Sequence, residues 1–98
     1  MQLSDDQRRF LRGKAHPLKP VIQIGGAGLT DAVARETERA LEDHELIKVR
    51  VRASDREARD AILEALTTRT RSALVQRIGH VGVLYRRREK LPKIIIPD

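Results

Sequence analysis

The chain has 98 residues and no cysteine, and its 20 Lys or Arg residues against 14 Asp or Glu residues give a formal net charge of +6. This length supports one modest hydrophobic core, so we expect a single domain over residues 1–98, with residues 87–98 as a basic and apolar tail. The lack of cysteine excludes a disulfide framework and a thiolate metal site. No secretory leader or membrane-length apolar run is visible, so a cytoplasmic protein without a membrane partner is the expectation.

The positive charge is concentrated at the two ends of the sequence. Residues 1–29 carry five bases and two acids, residues 30–64 carry seven bases and ten acids, and residues 65–98 carry eight bases and two acids. Basic surfaces attract polyanions, which makes nucleic acid the natural partner. The alternative is that the excess charge only aids solubility.

The first predicted elements are a helix and a strand. Ser4 and Gln7 have the spacing of a capping box, and Pro17 disfavours helical geometry at the residue before it, so helix one should run from Asp5 to Ala15. Its inward positions are Phe10, Leu11 and Ala15. Strand one follows at about Val21–Ile24.

Helix two and strand two come next. Thr30 is the expected N-cap of helix two, whose apolar stripe has helical spacing at Val33, Thr37, Ala40 and Leu41. Strand two, about Leu46–Arg52, alternates between an apolar face of Ile47, Val49 and Val51 and a basic face of Lys48, Arg50 and Arg52.

The last predicted elements are a helix and a hairpin. Ser54–Glu57 resembles a second capping box with Ser54 as N-cap, and the inner stripe of helix three is Ala58, Ala61, Ile62, Ala65 and Leu66. Ala73–Ile78 and Val81–Arg86 are predicted strands joined by a short turn at Gly79-His80, and Ile94–Ile96 is a candidate for a short added strand.

The order α-β-α-β-α-β-β predicts an α/β (two-layer α+β) fold with a small mixed four-stranded sheet and helices packed on it. Each β-α-β unit should form a right-handed crossover between paired parallel strands, and the last two strands should pair antiparallel.

A glycine-rich loop of form Gly-x-x-Gly follows strand one. Three glycines within Gly25–Gly28 remove side chains from the turn, so another backbone can approach closely. The helix that follows offers unpaired amides and the positive end of its dipole, which favours an anion such as a phosphate. The candidate contacts in this segment are Gly25, Gly26, Ala27, Gly28, Leu29 and Thr30.

Basic side chains form three candidate groups around this loop. Lys48, Arg50 and Arg52 lie on one strand face, although they could equally be a solvated surface. Helix one supplies Arg8 and Arg12, with Lys14 and Lys19 near its end; if it packs antiparallel to strand one, its amino end lies near the loop. The densest group is Arg86, Arg87 and Arg88, which could instead be mobile.

Aromatic residues are nearly absent, which argues against recognition by base stacking. Phe10 is expected in the core, whereas the role of Tyr85 stays open. Sheets and barrels that read single strands use several exposed rings. A glycine loop with bases and few rings is suited to contacting the backbone and shape of folded or double-stranded RNA.

Enzymatic interpretations fail on specific residues. Val21–Gly28 resembles the opening of a dinucleotide-binding fold, but Asp31 occupies the third glycine position and would repel a pyrophosphate. The glycines are not followed by the Lys and Ser or Thr of a P-loop. His16, His44 and His80 are scattered. The sequence therefore predicts no catalytic site, no metal and no cofactor.

Three motifs in order resemble the CRM domain family, the chloroplast RNA splicing and ribosome maturation domain. They are Leu11–Val21, Ile24–Thr30 and His44–Val49, and the segments Gln76–Gly79 and Val83–Arg86 resemble its closing strands. A stand-alone domain of this length is similar to the bacterial YhbY-type members.

The resemblance implies an RNA-binding domain with a fold like the C-terminal domain of bacterial translation initiation factor three. It also implies association with precursors of the large ribosomal subunit, with the Gly25–Gly28 loop contacting RNA. Relatives often have a polar or basic residue where this chain has Gly26 and Ala27, which assigns more of the affinity to the flanking bases.

Two alternatives stay open. The chain could be a protein–protein module that docks on a ribosomal protein or assembly factor and uses its bases for electrostatic steering, or it could bind DNA. A monomer is expected in each case.

Overall fold

The computed structural model describes residues 2–97, and within them the three helices and four strands follow the predicted order. The elements are α1 (Asp5–Ala15), β1 (Pro20–Ile24), α2 (Asp31–His44), β2 (Leu46–Val51), α3 (Arg56–Thr70), β3 (Ala73–Ile78) and β4 (Val81–Tyr85). β1 begins one residue before its predicted start, and β2 and β4 end one residue before their predicted ends.

The helix starts follow local capping chemistry. The capping box of Ser4 and Gln7 is present at α1, and the Thr30 side chain accepts a hydrogen bond from the Val33 amide at α2, as predicted. The prediction of Ser54 as the cap of α3 is wrong. Asp55 is the N-cap and accepts a 2.8 Å bond from the Ala58 amide. Its carboxylate also interacts favourably with the positive end of the helix dipole.

The sheet order is β1-β2-β4-β3. β1 pairs parallel to β2, and β4 pairs antiparallel to both β2 and β3. The expected direct pairing of β2 with β3 is therefore wrong, because β4 lies between them. β4 carries Val83, Leu84 and Tyr85, each at most 1% exposed, and a strand that is apolar on both faces is buried best at the centre of the sheet.

One face of the sheet packs against α2 and α3. The shared core contains Ile22 and Ile24 of β1, the apolar face of β2, and buried leucines at positions 41, 63, 66 and 84. The predicted stripe of α2 is confirmed, with Thr37 and Leu41 fully buried. The stripe of α3 is partly wrong: Leu63, Leu66 and Thr70 are buried, whereas Ala61 and Ala65 are exposed. Leucines bury more apolar surface than alanines, so they decide which side of the helix faces the sheet.

The other face is covered only over one half. α1 and the tail pack on Leu46, Val75, Val83 and Tyr85, and the helix contributes Leu11 and Ala15. The predicted strand at Ile94–Ile96 is wrong, since no strand follows β4 within the described residues. Ile94 and Ile96 instead pack against this second cluster, where Phe10 also lies partly buried.

Candidate nucleic-acid interface

The glycine loop joins the carboxyl end of β1 to the amino end of α2. The Gly28 amide donates a 3.0 Å hydrogen bond to the Gly25 carbonyl, which closes the turn. Gly28 has a φ of +73°, in the left-handed region that favours glycine. The turn therefore requires a glycine at this position.

Gly25 and Gly26 are glycines for a different reason. Neither has a positive φ, and a Cβ atom built at either position would meet no atom within 4 Å. Both residues are exposed, as is Ala27. The fold would accept side chains here, so their absence keeps the outer surface of the loop clear for an approaching molecule.

Backbone amides of the loop point to an anion-binding role. Within residues 2–97, no hydrogen bond occupies the amides of Gly26, Ala27 or Leu29. The Gly28 amide is used in the turn, and the Val33 amide is used by the Thr30 cap. Within the predicted segment, the amides other than that of Gly28 therefore remain for a ligand.

Asp31 weakens the predicted anion site at the start of α2. Its carboxylate lies in the first turn and forms an ion pair of 2.6 Å with Arg69 of α3. The hydrogen bond and the charge of Arg69 lower the pKa of Asp31 below its ordinary value, and Arg35 adds to this effect. The helix dipole is therefore already partly compensated by a carboxylate. This leaves the glycine turn as the stronger anion site.

Arg50 and Arg52 lie beside the loop, as predicted. The Arg52 amide donates a 2.8 Å hydrogen bond to the Ile24 carbonyl, which joins the carboxyl ends of β1 and β2. Both arginines are exposed. Lys48 shares their face, but its Nζ lies 3.3 Å from the His16 carbonyl, so its ammonium caps the end of α1.

The uncovered half of the sheet adjoins these two arginines. One residue from each of the four strands lies in register along this face, namely Gln23, Arg50, Val81 and Ile78. Ile78 is 60% exposed. This row runs directly below the edge that carries the glycine loop. It forms an uncovered face beside the loop to which a nucleic-acid backbone has access.

His80 joins the same edge, a position that the sequence reasoning assigned only to a turn. Its carbonyl accepts a 2.7 Å hydrogen bond from the Val51 amide, which holds the β3–β4 turn against the end of β2. The His80 residue is exposed. The turn itself was predicted, but the strand order that brings it beside β2 was not, so no local signal could have added His80 to the site.

The bases of α1 lie elsewhere, and the expectation that its amino end approaches the loop is wrong. Arg8 donates to the carbonyls of Leu74 and Val75 on β3. β3 is the edge strand farthest from β1. α1 crosses the sheet because its apolar side covers Val75, Val83 and Leu46, which lie on three different strands.

The other predicted bases of this region are exposed but distant from the loop. Arg12 is on the outer surface of α1, and Lys14 holds its ammonium 5.7 Å from the centre of the Phe10 ring. Lys19 precedes β1, at the end of the strand opposite to the glycine loop. These side chains, together with Arg8, are therefore not brought into the site.

Two of the three bases in the Arg86–Arg88 cluster have structural partners. The Arg86 guanidinium contacts the carboxylates of Glu38 and Glu42 and the Thr70 carbonyl. Arg88 donates from its side chain to the carbonyls of Glu42 and Leu91. Arg87 is exposed. The cluster is an ordered brace between β4 and the helices, and it lies away from the loop.

Glu45 organises this brace, and the sequence reasoning missed it. It is 0% exposed and ends α2 with a φ of +64°. Its carboxylate accepts hydrogen bonds from the amides of Arg88 (2.8 Å), Lys93 (2.6 Å) and Ile94 (2.6 Å). A glutamate in a predicted helix end resembles a solvated residue, so no pattern in the sequence indicated its burial.

Tyr85, whose role was open, is a core residue. It is 1% exposed, and burial raises the pKa of its hydroxyl, as does the nearby Glu45 carboxylate. Its ring is closed to a stacking base. Among residues 2–97, no cluster of His, Asp or Glu side chains has the geometry to hold a metal ion. No helix in the same residues is long and apolar enough to cross a membrane.

Comparisons with known proteins agree with this architecture. A chain from Haemophilus influenzae named as an RNA-binding protein is 50% identical over 95 residues, covering 97% of this chain and 95% of that protein. A probable RNA-binding protein of Bacillus subtilis, YqeI, is 42% identical over 95 residues, covering 97% and 99%.

A solved structure and a family profile extend the match. The solution structure of a hypothetical protein from Staphylococcus aureus superimposes with a TM-score of 0.85 at 36% identity, covering 98% of this chain and 100% of that one. The sequence profile of the CRS1 / YhbY (CRM) domain matches residues 3–86, which include all seven helices and strands. The predicted family and fold class are therefore confirmed, and this chain belongs to the CRS1/YhbY (CRM) domain family.

Proposed function

We propose that this protein binds RNA without catalysing a reaction, and that it contacts the RNA backbone through the glycine loop and the adjacent Arg50 and Arg52. One observation carries the proposal. Gly25 and Gly26 leave the loop surface clear although the fold would accept side chains there, and the free amides of this clear surface lie beside two exposed guanidiniums. The names of the relatives from Haemophilus influenzae and Bacillus subtilis support RNA as the ligand.

In the proposed mechanism, one phosphate accepts hydrogen bonds from the amides of Gly26, Ala27 and Leu29. Gly28 supplies the left-handed conformation that this turn requires. Arg50 and Arg52 then bind phosphates farther along the strand, over the uncovered sheet face. A site with four phosphate contacts should weaken by about three orders of magnitude for a tenfold rise in salt.

The proposed ligand is ribosomal RNA in precursors of the large ribosomal subunit, bound in the cytoplasm. Membership of the CRM family supports this assignment. Structured RNA is favoured over an unpaired strand, since Tyr85 is buried and Phe10 is half-buried, which leaves no exposed Phe, Tyr or Trp ring on the described surface for stacking.

The direct test replaces Gly26 and Ala27 with aspartates. The double variant G26D/A27D places two carboxylates where the phosphate would lie, and the open space at Gly26 should leave the fold intact. The matched control, G26S/A27S, adds small polar side chains without charge. Binding is measured by fluorescence anisotropy on a ribosomal RNA hairpin and on a DNA duplex of the same sequence.

We expect the aspartate variant to lose at least tenfold in RNA affinity and the serine control to lose less than threefold. Equal binding by the aspartate variant and the parent would remove the loop from the mechanism. Equal affinity for the two nucleic acids would favour a general polyanion binder, since the 2′-hydroxyl is the group that distinguishes RNA.

A second experiment tests the ribosomal assignment. Cell extract is sedimented on a sucrose gradient at low salt, at high salt and after ribonuclease treatment. We expect comigration with a precursor of the large subunit that is lost in both treated samples. A protein that stays at the top of every gradient would contradict association with these particles.

A further inference from the structure

A second surface lies at the end of the sheet opposite to the glycine loop. It is a groove of about 380 Å³ between the end of α1, the start of β1 and the end of α2. This volume falls within the range of about 300–1,000 Å³ that is typical of ligand pockets. Its apolar floor is formed by Leu18, Val21, Leu46, Ile47 and Ile94.

The floor is partly open to solvent. Leu18 and Val21 are 38% and 50% exposed, whereas Leu46 and Ile47 are buried. Exposed aliphatic residues grouped around one concavity are typical of an interaction site rather than of scattered surface residues. Covering them would contribute free energy to a complex.

The rim of the groove is positive. Lys14, Lys19, Lys93 and His44 line it, and no acidic residue does. The buried Glu45 carboxylate offsets part of this charge, since its oxygens accept hydrogen bonds only from the neutral amides of Arg88, Lys93 and Ile94 and it keeps its negative charge.

Helix dipoles offset only part of this charge. α1 and α2 both end at the groove, and a helix carboxyl end carries roughly half a negative charge. Two such ends and the Glu45 carboxylate together balance about two of the three lysines. Lys48 already donates to the His16 carbonyl, so the negative end of the α1 dipole is partly neutralised before it acts on the groove lysines. The remaining positive charge lies around an apolar floor.

We propose that this groove docks an acidic peptide segment of a partner protein. One or two aliphatic or aromatic side chains of the segment cover Leu18 and Val21, and its flanking Asp or Glu residues pair with Lys14, Lys19 and Lys93. The groove and the glycine loop lie at opposite ends of β1, so the protein binds the peptide and RNA at the same time.

Two other occupants fit the surface less well. RNA gains little from an aliphatic floor, and the lining residues include no Phe, Tyr or Trp for base stacking. A symmetric contact with a second copy would bring the same lysines of both chains together, which is electrostatically unfavourable. A partner with acidic and apolar residues complements both features of the groove.

The test uses a labelled peptide in which leucines alternate with aspartates and glutamates. Two matched peptides replace either the acids by their amides or the leucines by serines. Binding is followed by amide chemical shifts of the isotopically labelled protein. We expect micromolar affinity for the first peptide only, with shifts at Leu18, Val21 and Ile94 and none at Gly25–Gly28.

Two substitutions in the groove test the peptide contacts, and RNA binding reports whether each variant is still folded. V21E changes an exposed position of β1, and K19E reverses one rim charge; each should weaken the peptide at least tenfold and leave RNA binding within threefold. R39E reverses a charge on the exposed surface of α2 and should leave the peptide affinity unchanged. G26D/A27D should also keep it, which makes this proposal independent of the loop.

Three results would overturn the proposal. They are equal binding of all three peptides, shifts of the groove amides by the RNA hairpin instead of the peptide, and a dimer in sedimentation equilibrium that K19E or V21E dissociates.

Discussion

Glu45 and Ile94 are joined by a 2.6 Å hydrogen bond from the Ile94 amide to Glu45 Oε1, across 49 positions of sequence. The same carboxylate accepts the amides of Arg88 and Lys93, so one buried side chain fixes the path of the tail. The tail in turn covers Tyr85 with Ile94 and Ile96. One acidic residue at the end of α2 thereby holds the tail in place by hydrogen bonds to three of its amides.

The first prediction concerns this carboxylate. Replacing Glu45 by Gly relieves the positive φ but removes three charge-assisted hydrogen bonds, each worth about 1.5–3 kcal/mol. Because the freed amides can reach water when the tail detaches, we expect the free energy of unfolding to fall by about 2–4 kcal/mol in urea titrations.

Hydrogen exchange locates the effect of the Glu45 variant. The amides of Arg88, Lys93 and Ile94 should lose protection before the sheet does. E42Q, which removes an exposed ion-pair partner of Arg86, is the control and should change stability by less than about 1 kcal/mol. A Glu45→Gly protein as stable as the parent would show that the anchor contributes little.

The second prediction concerns the salt dependence of RNA binding. R52Q removes one proposed phosphate contact next to the loop, so the slope of log affinity against log salt should decrease by about one unit. R39Q removes the same charge from the exposed surface of α2, about 12 Å along the helix from its start. It should leave the slope unchanged, and equal slopes for both variants would indicate nonspecific attraction.

The third prediction concerns the ion pair between Asp31 and Arg69. Arg69 lowers the pKa of Asp31 in the folded state, so the stabilisation is present above the unfolded pKa of about 3.9 and is lost as the pH falls through the lower folded value. R69Q should therefore raise the pKa of Asp31 in a carbon-detected NMR titration. R39Q, which removes a charge that is not among those lowering the pKa of Asp31, is the control and should leave that pKa unchanged. An unchanged Asp31 titration would mean that the pair does not persist in solution.

The fourth prediction concerns the packing of α3 on β4. A Cβ atom at Gly82 would lie 2.7 and 2.9 Å from the two Cδ atoms of Leu63, which is itself buried. G82A should lower the free energy of unfolding by about 1–3 kcal/mol through overpacking. G26A, where the new methyl group meets open space, should have almost no effect.

A double-mutant cycle isolates the contact at Gly82. L63A makes room for the new methyl group, so G82A should cost less in that background than in the parent. Additive losses in the cycle would place the strain elsewhere than against Leu63.

Local sequence signals determined the elements of this protein. Proline and the caps Ser4 and Thr30 act within a few residues, and the alternation along β2 reports directly which side is buried. The sequence also predicted the glycine loop, because the turn alone sets the conformation of Gly28 and that conformation favours glycine. Arg50 and Arg52 followed from the strand period.

Only the tertiary structure decided which parts meet. The hairpin places β4 between β2 and β3 because its doubly apolar strand gains most from the central position, and this brings His80 to the loop. It also moves Arg8 away from the loop, since α1 follows the apolar patch rather than β1. The buried Glu45 and the lysine-rimmed groove depend on contacts between residues tens of positions apart, and hydrophobic patterns along a sequence carry no information about such pairings.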